Sequence, residues 1–108
     1  MRNANVKKVD SLDVLIVALC RDFPRRAEAI KKGNGARRTL TEYRYLNFKI
    51  FEAVSEVVER PFVMPFIMEI GENIGYANSK IGELSERAYK TRKKLVKENI
   101  AKKLHLSD

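Results

Sequence analysis

Asn78, Ser79, Lys80 and Glu83 lie close together near the C-terminal third of a 108-residue chain. Three of them carry side chains suited to the edges of nucleic-acid bases. An Asn amide matches adenine, a Lys reaches guanine or a phosphate, and a Glu accepts from the amino group of cytosine. Ser79 alone is better read as a helix cap. Just beyond them come Arg87, Lys90, Arg92, Lys93, Lys94 and Lys97. Cations in that density can hold backbone phosphates, which sets affinity without sequence preference. Arg25, Arg26, Arg37 and Arg38 form a second basic group, far from the first in sequence.

The chain carries a formal charge of +8, unevenly placed. Residues 21–38 hold seven basic and two acidic side chains, and residues 77–108 hold nine and four. Residues 39–76 hold three basic and six acidic. Two blocks of about +5 around one of about −3 are what a polyanion-binding surface needs. Solvated helix faces are the plainer alternative.

Other chemistries have little to stand on. No Cys/His set has zinc spacing, and His105 stands alone near the C-terminus, so no metal or cofactor is expected. "GNGAR" (33–37) lacks the lysine and hydroxyl of a phosphate-binding loop. No nucleophile–base pair is legible, and the chain reads as a non-enzyme. Cys20, the one cysteine, sits on an apolar helix face, which predicts a buried and unreactive thiol and a reducing, cytoplasmic setting. No apolar run approaches the roughly 20 residues that span a bilayer. The first residues lack the pattern of a signal peptide.

The elements that position these residues are all helical, and with 44% hydrophobic and 33% charged residues they belong to one globular domain. Residues 1–10 read as a flexible arm and residues 11–60 as N-terminal helices. Ser11 is placed to cap a first helix, with Asp13 in its first turn. Leu12, Leu15, Ile16, Leu19, Cys20, Phe23, Ala27 and Ile30 then keep one helical face. Pro24 either kinks that helix or begins another. The glycines of residues 33–35 end it.

Thr39 and Glu42 have capping-box spacing, and helical periodicity follows to Arg60, where Pro61 stops it. Tyr43, Tyr45, Phe48 and Phe51 recur at helical spacing, which favours core or dimer packing over stacking on bases. Pro65 is placed to begin a short helix, 65–73, apolar on nearly every side, with Phe62, Met64, Phe66 and Met68 as a soft cluster for burial or self-association. A last long helix is expected from Ser79 to about Leu104, with Ile81, Leu84, Ala88, Leu95, Ile100 and Leu104 inward.

Between the last two helices, "MEIGENIGYANSKIGEL" spaces its apolar residues for a tight helix–turn–helix corner. Gly71 is expected where the two helices cross closely. Ile74 and Tyr76 bracket the turn, Gly75 supplies a positive φ, and Ile81 and Leu84 face back onto the first helix.

"EIGENIGYANSKIGELSERAYKTRKKL" resembles region 4 of bacterial sigma factors and the related small phage regulators of the ArpU type. Glu69, Ile70, Gly71, Ile74, Gly75 and Ile81 hold places of that pattern, and Arg87–Ala88 matches its R-A pair. Gly71 stands where the pattern has Ala, and Ala77 where Ser or Thr often caps the second helix. The resemblance implies promoter or operator recognition in a prophage or mobile element. The expectation is a DNA-binding transcriptional regulator whose helix from Ser79 enters the major groove. A homodimer is expected because one helix reads about one half-site, with residues 62–70 and the far end of the last helix as contacts. RNA polymerase is a further candidate partner. The alternative is a helical protein-interaction module that binds no DNA.

Overall fold

Prolines and left-handed residues, more than polar caps, divide this chain. The computed structural model describes residues 2–106, with side chains from residue 11 onward. It is all-helical among these residues: α1 Arg2–Arg21, α2 Phe23–Lys32, α3 Arg37–Ser55, α4 Arg60–Gly71 and α5 Glu86–Lys103, with a 3₁₀ turn at Tyr76–Asn78 before α5. None of these helices is long and apolar enough to cross a membrane.

Several expected boundaries shift. Ser11 caps nothing, because α1 already runs from Arg2 and takes in most of the expected arm; residue 1 lies outside the described residues. Pro24 separates two helices: α1 ends at Arg21, and Pro24 occupies the first turn of α2, where its missing N–H costs little. The Thr39/Glu42 capping box does not form, since α3 starts at Arg37 and both residues lie inside it. Likewise α4 begins at Arg60 with Pro61 in its first turn, and Pro65 sits on its solvent side. A proline there removes only a bond to the carbonyl of Pro61, at a helix start where carbonyls are less constrained.

Three of the five helices, α2, α4 and α5, end by one device. Gly33 (φ 68°), Asn73 (φ 56°) and His105 (φ 58°) are each left-handed just past a helix, and the amide one residue later reaches back over the last turn. Those bonds are Asn34 N–H to the Ala29 carbonyl (3.0 Å), Ile74 N–H to Glu69 (2.9 Å) and Leu106 N–H to Ala101 (2.7 Å). The positive φ expected at Gly75 is absent there; that residue is extended, at φ −92°. The chain has already turned at Asn73, and Asn tolerates that region.

Ile16, Cys20, Ile50, Val54, Val63, Phe66, Ile67, Ile70, Tyr89, Val96 and Ile100 form one core, with α1 against α4 and α3 against α5. Leu15 and Leu95, both expected inward, are 41% and 46% exposed. In α5 the inward line is Tyr89, Val96 and Ile100: Ile100 is buried as expected, while Tyr89 and Val96 each lie one position beyond the expected Ala88 and Leu95. Cys20 is buried, and burial pushes its thiol up to about 12.

Gly71 does mark a close helix crossing, but with α1. A Cβ there would lie 2.7 Å from the Arg21 nitrogen and 2.8 Å from its Cα, so the two backbones touch with no side chain between them. The helix expected to cross it does not form at Ser79; α5 begins at Glu86.

Candidate nucleic-acid interface

The tight corner is not formed. Residues 72–85 connect α4 to α5 as a loop, and no helix starts at Ser79. Ser85 is the true N-cap: its Oγ accepts from the Ala88 N–H at 3.1 Å, and Glu86 in the first turn suits the dipole. "SERA" therefore starts the helix six residues later than "SKIG". Ile81 and Leu84 still turn inward, as expected, though from a loop rather than a helix. Ile74 is half-buried, and Tyr76 leans on the Tyr89 ring with centroids 5.6 Å apart.

One carboxylate holds the 79–81 stretch of this loop. Glu69 is the only charged residue in 61–71 and is 6% exposed. Its Oε1 accepts from Ser79 Oγ (2.7 Å) and from the Tyr89 hydroxyl (2.8 Å), and its Oε2 accepts from the Lys80 N–H (2.8 Å). Ser79 Oγ in turn accepts from the Ile81 N–H at 3.0 Å. Burial pushes the Glu69 carboxyl up. The donors from Ser79, Lys80 and Tyr89, with Lys93 nearby, outweigh that and hold it below the usual range. Burial and the same carboxylate push the Tyr89 hydroxyl up to about 12.

Of the four expected base readers, Ser79 is spent on this network. Asn78, Lys80 and Glu83 are exposed on the loop. Glu83 is left-handed, at φ 73°. Because Glu69 binds the loop and Tyr89 together, Lys80 is held beside the first turns of α5.

The expected phosphate contacts divide in two. Arg87, Lys90 and Lys94 lie on the outer face of α5 and are exposed, Lys90 with an ion pair to Glu86 (2.7 Å). Arg92, Lys93 and Lys97 are half-buried. Lys93 donates to the Ile74 carbonyl at 2.6 Å and lies 5.8 Å from the Tyr89 ring centre; burial, then Lys97, lowers its pKa. Lys97 pairs with Asp13 at 2.7 Å, tying α1 to α5. Even so, Lys90, Lys93, Lys94 and Lys97 line one shallow depression, with Asp13 at its edge. Residues 87–97 hold six basic side chains and no acidic one.

The second basic group does not assemble as one surface. Arg26 is 3% exposed and donates to Asn47 Oδ1 at 2.7 Å and to the Leu19 carbonyl, fixing α2 to α3. Arg25 is taken up by Asp22 and Tyr43, while Arg37 and Arg38 stay exposed.

Glu69 and Tyr89 are the residues missed as a pair. One carboxylate in the otherwise apolar stretch 61–71 is the signal for them, since a buried carboxylate must find donors. Among the described residues no cluster of His, Cys, Asp and Glu could hold a metal ion. No family model matches the chain, and neither a curated protein nor a solved structure matches it.

Proposed function

We propose that the protein is a DNA-binding transcriptional regulator that holds the duplex backbone with the outer face of α5. The observation that carries this is the run of six cations without an acid over residues 87–97, three of them exposed on one stripe. The helix proposed to lie against DNA begins at Glu86 rather than Ser79. Lys80 and Asn78, presented by the Glu69-anchored loop beside it, are the candidate base contacts. The sigma-factor-like pattern of residues 69–88 supports a regulatory role in a phage or mobile element. A second copy would supply the second half-site.

The test is fluorescence anisotropy with random-sequence duplex DNA, across salt from about 50 to 200 mM. Affinity is expected to fall steeply with salt. An Arg87→Ala/Lys90→Ala/Lys94→Ala variant is expected to lower the log–log slope by roughly 2.7, about 0.9 for each phosphate that is no longer neutralised. No binding at the lowest salt by a folded protein overturns the proposal and turns the search to protein partners.

A further inference from the structure

The aromatic stripe of α3, whose spacing suggests core or dimer packing, is not in the core of this chain. Asn47, Ile50, Ala53 and Val54 face inward. Tyr45, Phe48 and Phe51 face out and are 48%, 62% and 37% exposed. Thr41, Arg44 and Ser55 are exposed with them, so the open stripe advances by alternating steps of three and four along the helix. That is the spacing by which one helix seats against another. Aromatic residues grouped on one exposed face mark interfaces more than solvated surface. Lys49 lies 5.9 and 6.0 Å from the Tyr45 and Phe48 ring centres, which leaves most of the rings uncovered.

We propose that this face binds the same face of a second copy, with the two α3 helices antiparallel about a two-fold axis at Phe48. The sequence of the stripe is self-complementary in that register. Residue i then meets residue 96 − i of the other chain. Phe48 meets Phe48, Tyr45 meets Phe51, Thr41 meets Ser55, and Arg44 meets Glu52. An isologous interface requires every such pair twice, and here each charged pair joins opposite signs. A parallel pairing would set Arg44 against Arg44 and Glu52 against Glu52.

The two charges differ in what already engages them. Arg44 makes no ion pair or hydrogen bond with another described residue. Glu52 is half-buried, with Lys103 at 3.5 Å and Lys49 at 3.7 Å from an enclosed Oε1, so only the outer part of its carboxylate is open to Arg44 of the second copy. With 19 residues, α3 gives a contact line about 28 Å long. The soft segment at 62–70, expected as a contact, is divided: Val63, Phe66 and Ile67 are core at 1% exposure or less, while Met64 and Met68 are 38% and 37% exposed.

The test is thiol cross-linking in a fixed register. Thr41→Cys and Ser55→Cys chains are prepared separately and as a mixture, and treated with a short bis-maleimide. Cys20 is buried, and the untouched chain provides the control for it. Dimeric product from the mixture but from neither variant alone is the expected result. Phe48→Cys alone is expected to cross-link, and Phe48→Glu to sediment at half the mass of the parent chain. Cross-linking of each end variant with itself indicates parallel pairing and overturns the proposal. A parent chain that sediments as a monomer at every concentration also overturns it. The readout is mass, so either result leaves the DNA titration to be judged separately.

Discussion

Removing the carboxylate of Glu69 is expected to cost far more than its position on a short helix suggests. It accepts three hydrogen bonds, at 2.7, 2.8 and 2.8 Å. Bonds to a charged acceptor contribute about 1.5–3 kcal/mol each, roughly 5–9 kcal/mol together. Two offsets apply. The carboxylate's own burial costs several kcal/mol and is recovered on substitution. Tyr89 also keeps the Ile74 carbonyl at 3.3 Å as a second acceptor. A net loss of about 3 kcal/mol for Glu69→Ala follows, with Glu69→Gln smaller because it keeps the volume and one acceptor. With a urea slope of roughly 1–3 kcal/mol per molar, the midpoint followed by circular dichroism moves down by about 1–3 M.

The pH dependence is a second check on the same carboxylate. Folding lowers this carboxyl's pKa, so its stabilising contribution is complete above the unfolded value of about 4.3 and is lost as pH falls through the folded value. The gap between parent and Glu69→Gln should therefore be level from pH 7 to about 5 and narrow below that. A midpoint shift under about 0.3 M, or a gap as wide at pH 3 as at pH 7, would refute the anchoring role.

Three further outcomes are expected. Gly71→Ala places a methyl against the α1 backbone at 2.7–2.9 Å and should destabilise by roughly 1–3 kcal/mol in thermal unfolding. An unchanged melting temperature would mean that the α1–α4 crossing is looser than described. Glu83→Gly relieves a left-handed non-glycine residue and should stabilise by about 1 kcal/mol, read by urea titration. Cys20 should react with a thiol reagent only as fast as the protein opens, since its buried thiol is held near 12; labelling as fast as a free thiol contradicts its burial.

Helix content is legible in the sequence because long runs of period 3.6 survive most tertiary effects. Pro24, Pro61 and Gly33 also sit near real helix boundaries. Caps are less legible. Ser11, Thr39 and Ser79 all have the chemistry of an N-cap, yet Ser85 is the one of the four that caps, because helix starts are chosen by where the inward face can begin. At α5 that face is Tyr89, Val96 and Ile100, and starting it at Ser79 would take Ser79 and the Lys80 amide away from Glu69. The expected corner fails for a related reason. Gly71 signals a close approach correctly, but a sequence does not say which helix approaches. The basic residues of α5 are legible as a group. Their division into exposed Arg87, Lys90 and Lys94 and engaged Lys93 and Lys97 depends on where α1 and the Ile74 carbonyl fall in space.

One carboxylate joining a helix, a loop and another helix has a dynamic consequence. The Lys80 amide and the Tyr89 hydroxyl share an acceptor, so α4, the 72–85 loop and the start of α5 should open as one cooperative unit. In amide exchange, Lys80 would then be protected to the same degree as the core of α5, despite lying in a loop with an exposed side chain. Such a loop cannot wander to meet a ligand. Under the proposed DNA contact, a duplex would have to fit Asn78 and Lys80 where they are, and discrimination at that edge would come from rigidity rather than adaptation.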